Sequence, residues 1–137
     1  MKRTFVLAVS ILFVFVSIGA IVSSADKSKT YYVCNCQDDC KCNFVANKPG
    51  KCNCGANLAA MHVLAIEKGL GIFCRCGADC SCERSKSDPG KCGCGKSVKT
   101  VGLKGKYVCD CGPGCNCGTI SEKPGKCHCG KDLKQVS

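Results

Sequence analysis

The feature that most constrains this chain is a cysteine pattern that occurs three times. Each copy has two Cys-x-Cys pairs separated by three residues, and a third Cys-x-Cys pair follows after nine residues. All 18 cysteines obey this spacing, so the repeat predicts three structurally equivalent modules. Module by module, the cysteines are Cys34, Cys36, Cys40, Cys42, Cys52 and Cys54; Cys74, Cys76, Cys80, Cys82, Cys92 and Cys94; and Cys109, Cys111, Cys115, Cys117, Cys127 and Cys129.

Other residues repeat with the cysteines. An apolar or aromatic pair precedes each first cysteine, as Tyr32-Val33 does in the first module, and glycine follows each last cysteine, as Gly55 does. Pro-Gly stands before each last pair, at Pro49-Gly50, Pro89-Gly90 and Pro124-Gly125. Proline and then glycine fit the central positions of a type II turn, where glycine takes a positive φ. We expect this turn to present a Cys-x-Cys-Gly corner whose backbone N–H groups point at sulfur.

The segments between the modules are predicted to be β-hairpins. The second is β-branched and contains glycines, which favours strand, tight turn and strand. In the first, Leu58, Met61 and Ala65 also fit a helical spacing. Internal homology favours a hairpin there too, with strands at 61–66 and 71–74. The predicted division is a signal peptide at 1–25, modules at 32–58, 72–98 and 107–133, and linker hairpins at 59–71 and 99–106.

The first 25 residues are typical of a secretory signal. Lys2 and Arg3 are followed by an apolar stretch over 5–22 and by small residues that favour cleavage after Ala25. An uncleaved membrane anchor is the alternative, since about 18 apolar residues can just span a bilayer. We therefore expect a periplasmic or secreted protein that contacts a membrane only through an uncleaved signal.

Composition limits both the core and the partners. Large apolar side chains are few outside the signal, so we expect no common core and modules that need cross-links or metal to fold. The net charge is +10, and without Lys2 and Arg3 it is 18 basic minus 10 acidic residues, or +8. Several lysines are adjacent to cysteines in the sequence. This placement favours neutralisation of thiolate charge by the lysines over a surface that binds nucleic-acid phosphates. No nucleic-acid partner is expected.

The paired cysteines favour metal binding over disulfides. In an extended segment, residues i and i+2 point to one side about 6.5 Å apart, which is poor geometry for a disulfide within the pair. Two such sulfurs can instead bind one ion or join a cluster. A disulfide-linked structural protein of the cell envelope stays the alternative, because export places the chain in an oxidising compartment. His128, between Cys127 and Cys129, is a candidate additional ligand, whereas His62 is expected to be an ordinary surface residue.

Copper(I) and zinc are the expected metals, with several ions per chain. Copper(I) binds two or three thiolates. Two tetrahedral zinc ions need eight sulfur contacts, so the six cysteines of a module suffice only if two sulfurs bridge the ions. We expect sequestration or buffering of such ions, with metal ions and a metal efflux or transport protein as partners. The chain carries no Cys-x2-Cys redox motif and no other catalytic motif, so it is not expected to be an enzyme.

The third module also carries a family resemblance. Tyr107-Val108-Cys109, followed by Lys-Pro-Gly-Lys-Cys-His-Cys-Gly-Lys-Asp-Leu at 123–133, resembles the small heavy-metal-binding domain of copper-transporting ATPases and efflux adaptor proteins. The family ends in Cys-x2-Cys rather than Cys-x-Cys, and the extra pairs here resemble metallothioneins instead. The resemblance implies metal ligands at Cys109, Cys127 and Cys129 and at their counterparts Cys34, Cys52, Cys54, Cys74, Cys92 and Cys94.

The predicted fold class follows from these patterns. We expect small irregular and β modules that metal or disulfides stabilise, with zinc-ribbon-like knuckles joined by β-hairpins, after an N-terminal signal helix.

Overall fold

The computed structural model describes residues 29–36, 41–77, 80–112 and 117–137. This part of the chain is made of short strands and irregular segments, without an α-helix, and so none of its elements is a helix that could cross a bilayer. The predicted signal helix lies outside the described residues. The strands are β1 (Thr30–Cys34), β2 (Val45–Ala46), β3 (Leu58–Glu67), β4 (Leu70–Cys74), β5 (Val98–Gly102), β6 (Tyr107–Val108), β7 (Ile120–Ser121) and β8 (Lys134–Gln135).

The strands form two antiparallel sheets. The larger has the order β2-β1-β3-β4-β5 and the smaller has the order β7-β6-β8. Strand β3 is the longest and holds the larger sheet together, because its first half pairs with β1 and its second half with β4. His62 marks the change, facing Thr30 on one side and Cys74 on the other. The larger sheet therefore joins the first two modules into one unit.

A two-residue turn connects β3 to β4. Glu67 pairs with Leu70, and the residues between them, Lys68 and Gly69, have φ values of 48° and 75°. Positive φ at both central positions is the geometry of a type I′ turn, which matches the twist of antiparallel strands. The β3–β4 hairpin lies in the linker for which the sequence predicts a hairpin, although β3 begins earlier, at Leu58.

The second linker differs from the predicted hairpin. A tight turn is present, since Lys106 N–H donates to Leu103 O at 2.9 Å and Gly105 has a positive φ of 79°. However, β5 and β6 on either side of this turn belong to different sheets. Strand β5 pairs along β4 from Leu70 to Cys74, whereas the two-residue β6 pairs with β7 and β8. Strand β4 has five residues and β6 has two, so β5 can form more backbone hydrogen bonds with β4 than it could with β6.

The second module departs from the other two where the repeat substitutes a polar residue. Val45 and Ile120 are buried and lie in β2 and β7, which pair with β1 and β6. The equivalent position in the second module is Ser85, which has no apolar side chain to bury. Its neighbour Arg84 forms a bridge with Cys92 instead. The edge of β4 that such a strand would use is occupied by β3.

One hydrophobic core draws on all three modules. Strand alternation directs every second side chain to one face, which buries Tyr31 and Val33 on β1, and Met61 and Val63 on β3. Together the core residues are Tyr31, Val33, Val45, Met61, Val63, Phe73, Val101, Leu103, Val108 and Ile120. The expectation that the modules share no core is therefore wrong. Each module supplies few apolar residues, but the shared sheet collects them.

Tyr31 fixes the third module to the larger sheet. Its hydroxyl donates to Gly118 O at 3.0 Å and accepts a buried hydrogen bond from Ile120 N–H at 2.7 Å. Its ring packs edge-on against Phe73, with ring centroids 6.3 Å apart. Burial raises the pKa of Tyr31 above its usual value, so the hydroxyl stays protonated and able to donate.

Replacing Tyr31 by phenylalanine should weaken this attachment. Tyr31→Phe leaves the buried Ile120 N–H without its acceptor, which we expect to lower the free energy of unfolding by about 1–3 kcal/mol. Chemical denaturation followed by circular dichroism, at equal metal loading, measures the change. Tyr32→Phe, the next residue on β1, is the matched control and should change stability by less than about 0.5 kcal/mol. Equal effects of the two variants would contradict the assigned role of Tyr31.

Candidate metal centres

A short hairpin carries the last cysteine pair of each module, and we call it the knuckle. In the first module, Lys51 bridges to Asn57, and Cys52 N–H donates to Ala56 O at 2.9 Å. Gly55 N–H then closes a β-turn on Cys52 O at 2.8 Å, and Gly55 has a φ of 85°. A turn followed by a left-handed glycine is a common three-residue hairpin loop.

The other knuckles repeat this geometry closely. Cys92 and Cys127 make the same two backbone hydrogen bonds, at 2.8–2.9 Å, and the glycines that follow the pairs, Gly95 and Gly130, have φ values of 84° and 83°. Left-handed φ is costly for residues with a Cβ atom, by roughly 1–2 kcal/mol. The repeated glycine after each last cysteine is therefore explained by backbone conformation.

The predicted type II turns at Pro-Gly are wrong. Gly50, Gly90 and Gly125 do not have the positive φ that this turn requires. Their carbonyls instead accept hydrogen bonds, at 2.8–3.0 Å, from the backbone N–H eight residues later, which closes the base of each knuckle. The conformational need for glycine lies after the cysteine pair rather than before it.

The knuckle brings its sulfurs to those of the earlier pairs. In three separate groups, all sulfur atoms lie within 4.8 Å of one another. Each group comes from one module. Cysteine pairs that are distant in sequence therefore converge, as binding of a common metal ion would require. The groups are Cys34, Cys42, Cys52 and Cys54; Cys74, Cys76, Cys82, Cys92 and Cys94; and Cys109, Cys111, Cys117, Cys127 and Cys129.

Two predicted ligands among the described cysteines lie outside these groups. Cys80 is adjacent, with its sulfur 3.5 Å from that of Cys74. Cys36 is disulfide-bonded, and its sulfur lies 2.9 Å from that of Cys34. The first module therefore differs from the second and third, in which every described cysteine is a free thiol.

The remaining candidate residues are two cysteines and two histidines. Cys40 and Cys115 lie outside the described residues. His128 is exposed at the tip of the third knuckle and does not join the group of five sulfurs beside it. His62 is half-buried within β3 rather than at the surface. The described centres are consequently built from sulfur alone.

The distances between neighbouring sulfur atoms lie between the length of a disulfide bond and the separation of two sulfurs bound to one zinc ion. Cys94 Sγ is 2.7 Å from Cys76 Sγ and 2.9 Å from Cys92 Sγ, and Cys129 Sγ is 2.7 Å from Cys111 Sγ. A disulfide bond is about 2.05 Å long. Zinc–sulfur bonds of about 2.3 Å place two sulfurs of a tetrahedral site about 3.8 Å apart. A small movement of the sulfurs towards each other would thus allow a disulfide bond, and a small movement apart would allow a metal site.

Hydrogen bonds within each group distribute the protons unevenly. The side-chain hydrogen bond between Cys76 and Cys94 is the main cause of the lowered pKa of Cys94, which is about 6. The backbone N–H of Cys54 points at Cys52 and lowers the pKa of Cys52 to about 7. Burial raises the pKa of Cys74 to about 12. Metal binding to thiolates releases the protons that the thiols hold.

Comparison with known proteins does not identify a relative. No known protein family matches the chain, and no curated protein or solved structure matches it. The resemblance to the heavy-metal-binding domain thus rests on the sequence motifs, whereas the three cysteine groups rest on geometry.

The knuckle geometry can be tested with two glycines of the first module. A Cβ atom would meet nothing within 4 Å at Gly55 or at Gly50, but only Gly55 has a positive φ. Gly55→Ala should therefore lower the free energy of unfolding by about 1–2 kcal/mol. Gly50→Ala, the matched control, should be neutral or stabilising by up to about 1 kcal/mol. Denaturant titration of both variants measures this, and the opposite order would restore the type II turn at Pro49-Gly50.

Proposed function

We propose that the chain binds soft metal ions as thiolate complexes, one centre in each module, and that it sequesters or buffers copper(I) or zinc. One observation carries this proposal. In each of the three modules, four or five free cysteine sulfurs converge within 4.8 Å, although they are separated in sequence. Crowded sulfurs are the ligands that copper(I) and zinc prefer in proteins.

The number of sulfurs bears on how many ions bind. Among the described cysteines, the four sulfurs of the first group suit one tetrahedral ion. Five sulfurs, as in the second and third groups, exceed one tetrahedral site and suit bridged clusters, which copper(I) forms with two or three thiolates per ion. Several ions per chain, rather than one, is therefore the proposed loading.

The burial pattern supports retention of the ion. Cys34 and Cys74 have no exposed surface, and Cys52, Cys92 and Cys127 are at most 5 % exposed. Buried ligands exclude water from one side of each centre, which strengthens metal–thiolate bonds. Binding rather than catalysis is accordingly the proposed role.

Location and partners are also part of the proposal. The signal-like segment at 1–25 supports a periplasmic or secreted protein. A metal efflux or transport protein is the proposed partner, on the motifs that resemble the heavy-metal-binding domain.

A disulfide-linked structural protein is the second candidate, and Cys36 favours it. Cys36 is disulfide-bonded, and free thiols 2.7 Å apart could follow it in an oxidising compartment. In that case the cysteines would cross-link the modules internally without a metal function.

Native mass spectrometry of the exported chain separates these candidates. We expect several metal ions per chain, because three centres are available. The variant Cys127→Ser/Cys129→Ser should lose only the third centre's share, at least about one third of the metal, since each centre uses sulfurs from its own module. A metal-free chain that is 18 hydrogens lighter than the reduced form would instead support the disulfide framework. Loss of nearly all metal in the variant would contradict separate centres.

A further inference from the structure

In each sulfur group, one cysteine is exposed to solvent. These are Cys54, Cys94 and Cys129, the second member of each last pair. The first member is buried in every case, with exposed fractions of 5 % for Cys52, 1 % for Cys92 and 5 % for Cys127. All other described cysteines are buried or half-buried. The same position is therefore exposed in all three modules.

The knuckle turn explains this asymmetry. The first cysteine of the pair is held in the hairpin, where its N–H donates across the knuckle, as Cys52 N–H does to Ala56 O. The second cysteine lies at the tip of the turn, directly before the left-handed glycine. A turn tip projects into solvent, so the backbone that buries one sulfur exposes the other.

The space around each tip is open. A Cβ atom added to Gly55, Gly95 or Gly130 would meet no atom within 4 Å. The residues between the paired cysteines, including Asn53 and His128, are exposed. A molecule in solution can therefore approach the exposed sulfur without moving the backbone.

The exposed sulfur nevertheless belongs to the centre. Cys94 Sγ contacts Cys76 Sγ at 2.7 Å and Cys92 Sγ at 2.9 Å. Cys129 Sγ contacts both Cys111 Sγ and Cys127 Sγ at 2.7 Å. An ion shared by these sulfurs would have buried ligands on one side and the tip cysteine on the solvent side.

We infer that the tip cysteines, Cys54, Cys94 and Cys129, are the exchange ligands through which each centre passes its metal to an incoming thiolate acceptor. This inference rests on the proposed function. In the exchange, the acceptor thiolate donates an electron pair to the metal and forms a new metal–sulfur bond. The bond to the tip cysteine breaks, and that sulfur keeps its electron pair and takes a proton from solvent. The oxidation state of the metal does not change, so no redox partner is needed.

Charge at the tips favours an anionic acceptor. Lys96 and Lys131 are exposed and lie two residues after Cys94 and Cys129. In the first module this position is Ala56. Positive charge beside a site attracts anions and speeds their association, with an effect that salt weakens. The second and third centres should therefore transfer metal to an anionic thiolate faster than the first.

Differential alkylation of the full chain loaded with cadmium(II) tests the order of ligand release. Elemental analysis first establishes the metal content. Dimercaptosuccinate, an anionic dithiol, then removes a fraction of the cadmium, iodoacetamide labels the released thiols, and peptide mass spectrometry locates the labels. Relative to the metal-free chain labelled in the same way, we expect the ratio of Cys94 and Cys129 labelling to that of Cys92 and Cys127 to rise about tenfold, because the acceptor displaces the tip sulfurs first.

Kinetics provide a second readout and a matched control. Direct attack at the tip predicts a transfer rate proportional to the dimercaptosuccinate concentration. Lys96→Glu/Lys131→Glu should slow transfer about threefold or more at low salt, whereas Lys104→Glu, in the turn between β5 and β6, should not. A polymer-linked dithiol distinguishes the acceptor. Transfer to both forms indicates that protein-borne thiolates can reach the tip, and transfer to the small form alone indicates a small thiol.

Three outcomes would overturn the inference. Equal labelling of the paired cysteines, or earlier labelling of Cys92 and Cys127, would show that the tip is not the first ligand released. A rate independent of dimercaptosuccinate concentration would show that the centre opens before the acceptor attacks. A chain that retains no cadmium would overturn the proposed function itself, and the inference with it, whereas a loaded chain with equal labelling overturns the inference alone.

Discussion

The arrangement depends on one backbone constraint, the left-handed glycine that ends each knuckle turn. Because Gly55, Gly95 and Gly130 have φ values of 83–85°, the chain reverses within a few residues and places two cysteines on one tight turn. The hairpin buries the first sulfur and the turn tip exposes the second. The exposed side of each cysteine group follows from this turn, and pairing of the strands on either side of the knuckle brings its sulfurs to the earlier pairs.

The three cysteine groups are separate, but the scaffold that carries them is shared. Strand β3 begins in the first module and pairs with the strand that leads into the second, while Tyr31 holds the third module by two hydrogen bonds. Each apolar contribution is small, and a fully buried apolar side chain stabilises by only about 1.5–3 kcal/mol. Ten such residues can orient the modules.

The sequence predicts local features of this fold better than it predicts pairing. The cysteine spacing indicates three groups of converging sulfurs, and internal homology places a strand, rather than a helix, before Lys68. The sequence mispredicts the turn type because Pro-Gly is a strong local signal, while the φ of Gly55 depends on the hairpin that encloses it. The partner of β5 is missed because the turn residues at 104–105 indicate a local hairpin, whereas β5 pairs back to β4, as β3 does to β1 and β8 to β6. The polar Ser85, where the repeat otherwise has Val45 or Ile120, was the available sign that the second module pairs differently.

X-ray absorption at the metal edge of the zinc-loaded chain tests the central claim most directly, since it reports the ligand atoms themselves. Sulfur-only centres predict a first shell of sulfur at about 2.3 Å, with no nitrogen or oxygen neighbours. The variant His128→Ala should give the same spectrum, because the described centres contain no histidine. A first shell that contains nitrogen or oxygen, or a purified chain that holds no metal because its cysteines are joined in disulfides, would contradict the account.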